Sequence, residues 1–229
     1  MSMLLSSFLE DLGRQILRIY AQIDRKVATF QMTTGIKCPP GCGQCCASAK
    51  VKVTPLEFIP LAQHLFQRGE TDAWWPYLIE NQEGTCIFYQ EDLPKFKNGH
   101  CRVYPWRAAT CRLYGFGVKQ NKYGTLEPIT CHFLKNDFYK AIEHLGRNNA
   151  EALCPSYDSF MIQIAALDQN LGRIPLPVNQ AIAKALEKYA LAWQINSSLD
   201  YFSTPESVLA IDRPDLKERN IKGISGSEN

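Results

Sequence analysis

Apolar residues recur at intervals of three and four along the start of the chain, which is the spacing of one face of an α-helix. The pattern predicts one long helix over residues 3 to about 32, and Gly35 is its expected stop. Its apolar stripe consists of Leu5, Phe8, Leu9, Leu12, Ile16, Ile19, Ile23, Val27 and Phe30. Such a stripe requires burial, which we expect either within the chain or, through self-association or a protein partner, outside it.

Shorter sequence patterns, each predicting one strand or helix, follow between residues 51 and 80. The alternation Val51-Lys52-Val53 predicts a short strand. Thr54 precedes a proline and stands three residues before Glu57, so we expect a capped helix to begin there and to run to about Arg68. Residues 71–80 are predicted to form a further helix, which a proline limits.

From about residue 84 the pattern changes to short strands and turns, and from about residue 136 it becomes helical again. The predicted strands cover residues 86–89, 101–104 and 113–118 and a segment near Ile129, with one helical turn over 106–111. The later predicted helices cover residues 136–146, 156–171 and 178–199. This order predicts an α+β fold class, mostly α, in which N- and C-terminal helices flank an irregular, cysteine-rich centre with short strands.

The length of 229 residues suits one domain overall, which we divide into four parts. We expect an N-terminal helix over 1–35, a cysteine-cluster region over 36–155, C-terminal helices packing on it over 156–212, and a mobile tail over 213–229.

Composition and charge narrow the class of protein. Hydrophobic residues make up 45% of the chain and charged residues 21%, which is the balance of a globular domain. The formal net charge of +2 is too small to produce an electrostatic field that attracts nucleic acid or an anionic membrane. No apolar run approaches the roughly 18 residues of a membrane span, and the N-terminus lacks the basic region of a secretory signal. We therefore expect a cytoplasmic protein.

The cysteines carry the candidate chemistry. All nine lie in the middle of the chain, and four of them fall within nine residues. They are Cys38, Cys42, Cys45, Cys46, Cys86, Cys101, Cys111, Cys131 and Cys154. Cysteines in a reducing cytosol bind metal or carry out redox chemistry more often than they form disulfides. We therefore interpret all nine as candidate metal ligands.

Two kinds of metal centre suit such a set of thiolates. Zinc takes four ligands in a tetrahedron, and a 4Fe–4S cluster takes four thiolates, often three from one loop and one from farther away. Cys154-Pro155 resembles the remote Cys-Pro of bacterial ferredoxins, which favours iron–sulfur, whereas Cys38-Pro-Pro-Gly-Cys42-Gly resembles a zinc knuckle. Of the adjacent Cys45 and Cys46, one is expected to serve a second site or to be a redox-active thiol.

Two arginines and a tyrosine accompany the later cysteines. Pro105 is expected to start a helical turn, on which Arg107 and Cys111 share one face four residues apart. A guanidinium there can donate hydrogen bonds to a thiolate or a cluster sulfide. We predict that Arg107, Arg112 and Tyr104 surround the metal ligands.

The same residues carry a family resemblance. Cys38-x3-Cys42-x2-Cys45-Cys46, a Thr-Pro helix start, Cys86, and Cys101-Arg-Val-Tyr104-x2-Arg107-x3-Cys111-Arg112 together resemble the YkgJ-like CxxCxxCC cysteine-cluster family, a zinc- or iron-chelating domain. The resemblance covers roughly residues 36–155 and implies metal binding. The chain departs from the family at Ala108, where proline is usual. It also has nine cysteines where eight are typical, so Cys131 or Cys154 is the candidate for the extra one.

Three hypotheses remain. The protein holds an iron–sulfur cluster, of the 4Fe–4S type, for redox or enzymatic work. Alternatively, zinc stabilises a structural or interaction module without catalysis. The third hypothesis is a thiol-redox or metal-delivery protein that uses Cys45 and Cys46. The sequence contains no nucleophile triad, phosphate-binding loop or dinucleotide fingerprint, so it leaves open whether the protein is an enzyme.

Overall fold

A computed structural model describes residues 3–38, 43, 45–91 and 99–203. The helices in these ranges are α1 (Met3–Thr34), α2 (Ile59–Gln67), α3 (Thr71–Glu80), α4 (Ala109–Leu113), α5 (Lys135–Leu145), α6 (Arg147–Leu153), α7 (Tyr157–Ala165), α8 (Gln169–Gly172) and α9 (Val178–Ser203). Two 3-10 helices cover Pro55–Phe58 and Tyr104–Trp106. The predicted mobile tail, 213–229, lies outside the described residues.

The strands are short and form two-stranded antiparallel sheets. They are β1 (Lys52–Val53), β2 (Tyr89–Glu91), β3 (Gly99–Cys101), β4 (Gly117–Gln120), β5 (Leu126–Ile129) and β6 (Leu176–Pro177). β1 pairs with β6, β2 with β3 and β4 with β5. The α+β class, mostly α, is therefore confirmed, because helices supply most of the structure and the strands only fasten the loops between them.

Most of the predicted stripe of α1 is buried within the chain, since Leu9, Ile16, Ile23 and Phe30 are all fully buried. Phe8 is an exception and is 47% exposed. The helix packs on α2, α4, α6, α7 and α9. Self-association or partner binding through this helix stays a prediction.

Two hydrophobic clusters form along α1. The larger one is built from α1, α2, the 3-10 helix Pro55–Phe58 and α9, with Leu56, Ile59 and Leu186 among its buried side chains. The smaller one surrounds the end of α1, where the rings of Phe30 and Phe138 stack with centroids 4.9 Å apart. The cysteine-rich segments lie between these two clusters and contribute side chains to both.

The segments around the cysteines differ in detail from the predicted elements. The hairpin was expected to pair 86–89 with 101–104, whereas its register joins Tyr89 to Cys101. The N–H of Ile87 donates to a side chain of α9, Asn179, so it is not available to a strand. The helical turn expected over 106–111 is also split, since the backbone of Arg107 and Ala108 is extended.

Two later predictions also change. The helix expected over 156–171 is broken in two, because the Asp168 carboxylate accepts from the N–H groups of Asn170 and Leu171 and starts a new helix. The strand expected over 113–118 begins only at Gly117, since Leu113 ends α4. Helix α6 was not predicted.

Removing the ring of Phe138 should destabilise the protein. We expect Phe138→Ala to lower the free energy of unfolding by about 3–5 kcal/mol, because it leaves a cavity opposite Phe30. Chemical denaturation measures the change. The neighbouring Tyr139 is 45% exposed, so Tyr139→Ala is the matched control, with an expected change within about 0.5 kcal/mol. Equal effects of the two substitutions would contradict the packing described here.

Candidate metal centre

Five cysteines from separate segments of the chain line one small cavity of about 40 Å³. Cys45 and Cys46 follow α1, Cys86 lies between α3 and β2, Cys101 ends β3, and Cys111 lies in α4. Apolar side chains make up most of the remaining wall, namely Val51, Phe58, Phe88, Val103, Ala108 and Val178. The structure thus brings together five of the nine predicted ligands in surroundings that contain little water.

Two glycines bring the first cysteine loop against the hairpin. A Cβ atom on Gly43 would stand 2.6 Å from the carbonyl oxygen of Gly99, and a Cβ on Gly99 would stand 2.6 Å from that of Gln90. Both contacts are closer than a side chain tolerates, so only glycine permits this approach. The carbonyl of Gly43 then accepts from the Cys46 N–H at 2.9 Å, which turns the loop and places Cys45 and Cys46 beside Cys101.

A buried asparagine of α9 fixes the loop that carries Cys86. Asn179 is fully buried, and its Nδ2 donates to the carbonyl oxygens of Asn81 at 2.6 Å and Thr85 at 3.0 Å. Its Oδ1 accepts from the Ile87 N–H at 3.1 Å. One side chain therefore satisfies backbone groups on both sides of Cys86, where the loop has no regular structure of its own.

A buried glutamate positions the helix that carries Cys111. The Oε1 atom of Glu57 accepts from the N–H of Thr54 at 3.0 Å, which is the predicted capping interaction. Its Oε2 atom accepts from the N–H of Thr110 at 2.8 Å, and the hydroxyl of Tyr20 donates to the Glu57 carbonyl oxygen. Burial raises the pKa of Glu57 above its usual range, against the lowering effect of these hydrogen bonds.

Arg112 braces the same segment from the opposite side. Its Nε donates to the carbonyl oxygen of Arg107 at 2.9 Å, and its Nη2 to that of Pro105 at 2.5 Å. Its Nη1 pairs with a carboxylate oxygen of Asp24 in α1 at 2.5 Å. Because its donors are used in this way, Arg112 shapes the turn before Cys111 and does not line the cavity.

Arg107 supplies a positive charge to the wall of the cavity. Its charge makes a lowering contribution to the pKa values of three thiols, smaller than that of the hydrogen bond with Cys46 at Cys45 and Cys101, and smaller than the opposing effect of burial at Cys111. The guanidinium stacks on the exposed ring of Tyr104, 3.5 Å from its centroid. Its Nε is buried and has no hydrogen-bond partner among the described residues. A buried N–H of this kind is costly unless an acceptor occupies the cavity.

The thiols themselves differ in acidity. Hydrogen bonds from Cys46, with the charge of Arg107 as a smaller contribution, lower the pKa of Cys45 to about 6 and that of Cys101 to about 7. The same hydrogen bonds, first to Cys101 and then to Cys45, raise the pKa of Cys46. Burial raises the pKa of Cys86 to about 12 and also raises that of Cys111. Thiolate is therefore favoured at two positions and thiol at three while no metal competes for the protons.

The other predicted ligands lie elsewhere. A Cβ on Gly115 would stand 3.9 Å from the Sγ of Cys38. The charge of Cys131 raises the pKa of Tyr114, after the larger effect of burial. Tyr114 lines the cavity of the five thiols, whereas Cys38 and Cys131 do not. Cys42 lies outside the described residues.

Cys154 lies in the smaller hydrophobic cluster and is only 3% exposed. Burial alone raises its pKa to about 11, with no contribution from another thiol or a cation. Its surroundings are those of a packed core side chain. In the described ranges, no three His, Cys, Asp or Glu side chains already stand in the geometry of a bound metal ion. A metal would therefore need small adjustments of the thiols.

Sequence reasoning missed three residues that build this site. Glu57 was interpreted only as a helix cap, although its second oxygen holds Thr110. Asn179 and Asp24 carry no local signal, because they lie 93 and 88 residues or so from the segments they fix. The only signal for Asn179 in the sequence is that an asparagine occupies a position on the apolar face of α9.

Comparisons with known proteins agree with the resemblance noted from the sequence. Residues 37–136 match the CxxCxxCC family, described as a putative zinc- or iron-chelating domain. Neither a curated protein nor a solved structure matches the chain. The matched segment contains the five cavity cysteines, Cys38 and Cys131, and it ends before Cys154. Across the described ranges, no helix combines the length and the apolar character needed to cross a bilayer.

Asn179 gives a direct test of how the Cys86 loop is held. We expect Asn179→Ala to lower the free energy of unfolding by about 1–3 kcal/mol, because the buried Ile87 N–H loses its acceptor. In the metal-free protein the same variant should raise the rate of Cys86 alkylation, measured by mass spectrometry. Gln180→Ala changes the next residue of α9 and should do neither. Unchanged Cys86 reactivity in the Asn179 variant would mean that other contacts hold the loop.

Proposed function

We propose, from the match of residues 37–136 to the CxxCxxCC family and from the chemistry of the cavity, that the protein holds an iron–sulfur cluster, of the 4Fe–4S type, for redox or enzymatic work. The family itself supports chelation of zinc or iron, and the choice between these metals rests on the chemistry of the cavity. A bound cluster would supply one-electron transfer or a site where substrate binds to iron.

The observation that carries the proposal is a cavity lined by five thiols together with Arg107, whose buried N–H has no acceptor among the described residues. Four thiolates are the usual ligands of a 4Fe–4S cluster, and the cavity offers Cys45, Cys46, Cys86, Cys101 and Cys111 from which to supply them. The Nε of Arg107 is the unpartnered donor. Cluster sulfides and thiolates accept such hydrogen bonds, so a cluster would satisfy this group and offset part of its own negative charge with the guanidinium.

The rest of the wall suits a redox centre. Phe58, Phe88 and Val178 exclude water, and a dry environment together with hydrogen bonds to sulfur sets the reduction potential of a cluster. Asn179 holds the loop that carries Cys86, and Glu57 and Arg112 hold the segment that carries Cys111. These residues prepare the positions of the thiols before any metal binds, which reduces the reorganisation that metal binding requires.

Zinc is the second candidate, favoured by the size of the cavity. A space of about 40 Å³ accommodates a single ion more readily than a cluster of eight atoms. A tetrahedral zinc site would use four of the five thiols and leave one of the adjacent Cys45 and Cys46 outside the site. In that case the metal would stabilise the loops without redox chemistry.

The content of metal and acid-labile sulfide tests the proposal. Protein purified without oxygen should carry iron and sulfide near four per chain and absorb visible light, as a 4Fe–4S cluster does. Cys111→Ala should lose most of the iron, because it removes a cavity thiol. Cys154→Ala removes a buried thiol outside the cavity and should retain the metal. Zinc near one per chain without sulfide would overturn the iron–sulfur proposal and support the second candidate.

Arg107 tests whether its charge and N–H stabilise the centre. We expect Arg107→Ala to weaken metal retention about 10–100-fold, the usual cost of removing a group that hydrogen-bonds to metal ligands. Metal retention is measured by adding a chelator and following the transfer of metal from the protein to the chelator over time. Arg173 is exposed and lies outside the cavity, so Arg173→Ala should behave as the unaltered protein. If both variants release metal alike and the reduction potential is unchanged, Arg107 does not contact the centre.

A further inference from the structure

A second, open groove lies on the other side of Cys86. Its volume is about 730 Å³, within the range of about 300–1,000 Å³ that small-molecule sites occupy. One face of α3 supplies one wall with Trp74, Tyr77 and Glu80, and Tyr89 and Arg102 of the hairpin region supply the other. Cys86 lines both this groove and the cavity of the five thiols, so a molecule in the groove would lie next to the metal centre.

The floor of the groove is fixed before any ligand binds. Asn81, Thr85 and Ile87 line it, and these are the residues whose backbone groups bond to the buried Asn179. A floor held by three hydrogen bonds from one fully buried side chain is a preformed surface. Preformed surfaces bind small molecules without the entropic cost of ordering a loop.

The chemistry of the walls favours a flat molecule. Trp74 is backed by Phe88, with ring centroids 4.7 Å apart, so the indole is held firmly against the core. Tyr77 follows one helical turn later on the same wall and is 59% exposed. The two rings are tilted by 58° to each other, with centroids 6.3 Å apart, so a planar ligand can stack on only one of them, and Trp74 is the ring held against the core.

Arg102 supplies the charged group of the groove. Its guanidinium lies 5.8 Å from the centroid of the Trp74 ring, and its Nε donates to Oε1 of Gln90 at 2.9 Å. These two contacts fix the plane of the guanidinium, while none of the described hydrogen bonds uses its Nη atoms. An oriented guanidinium whose Nη groups make no hydrogen bond among the described residues is suited to a carboxylate, which it binds through two parallel hydrogen bonds.

Glu80 limits the negative charge that a ligand in the groove can carry. Its carboxylate is exposed on the α3 wall of the same groove, so a molecule with several negative charges would be repelled there. We propose that this groove binds a small, planar, aromatic carboxylate with a single negative charge, stacked on Trp74 and paired with Arg102. The position of Cys86 makes this molecule the substrate or effector of the metal centre, a step that rests on the proposed function.

Titration calorimetry on the metal-loaded protein tests the groove with indole-3-acetate as the probe and indole-3-acetamide as its neutral analogue. The acetate should bind about tenfold more tightly than the acetamide, because a charge-assisted pair is lost with the neutral group. Arg102→Gln should abolish this preference while leaving the metal content unchanged. Arg173→Gln, at an exposed arginine outside the groove, should keep the preference. At saturation the acetate should change the visible spectrum, because Cys86 forms part of both walls.

The outcomes separate this proposal from the metal centre itself. Metal-loaded protein that binds neither probe, or that binds both equally, would overturn the carboxylate groove and leave the metal centre intact. The carboxylate groove would also be overturned if Arg102→Gln still prefers the acetate over the acetamide, or if saturation with the acetate leaves the visible spectrum of the metal-loaded protein unchanged. Protein that holds no metal but still prefers the acetate in an Arg102-dependent way would support the groove and contradict the proposed function.

Discussion

The cysteine loops lack regular structure, and buried hydrogen bonds from neighbouring helices hold them in place. Asn179 satisfies three backbone groups around Cys86, and Glu57 satisfies the N–H before Cys111. Short loops of this kind cannot bury enough apolar surface to order themselves, so their backbone groups need partners supplied from outside. The helical frame therefore serves the site directly, because without it the five thiols would not meet.

This dependence extends beyond the segment that matches the family model, residues 37–136. Asp24 lies in α1 and Asn179 in α9, and both are outside residues 37–136. The ion pair of Asp24 with Arg112 and the hydrogen bonds of Asn179 join the two flanking helices to the cysteine loops from opposite sides. The family segment and its flanking helices thus form one packed unit, and a shortened segment would lose the contacts that position Cys86 and Cys111.

The electrostatics of the cavity follow from the same packing. Bringing thiols together in apolar surroundings disfavours their ionisation, as the raised pKa values of Cys86 and Cys111 show. At Cys111 the charge of Arg107, in the cavity wall, opposes this effect, and its Nε, which has no acceptor among the described residues, is a donor for an incoming acceptor. The adjacent groove has an arginine of its own, Arg102. Cys86 lines both spaces, and each of them has one arginine in its wall.

Local patterns in the sequence determined the long helix α1, the capped start at Thr54 and the candidate chemistry, because periodicity, capping and cysteine spacing act between near neighbours. The tertiary structure alone decided which cysteines share a cavity, since it places five thiols around one cavity that Cys38 and Cys131 do not line, and it places Cys154 in a hydrophobic cluster. It also decided the register of the hairpin, because Asn179 takes the Ile87 N–H that a strand would have used. The reason is physical: contacts between residues far apart in the chain leave no periodic trace, and only folding brings their partners within hydrogen-bond distance.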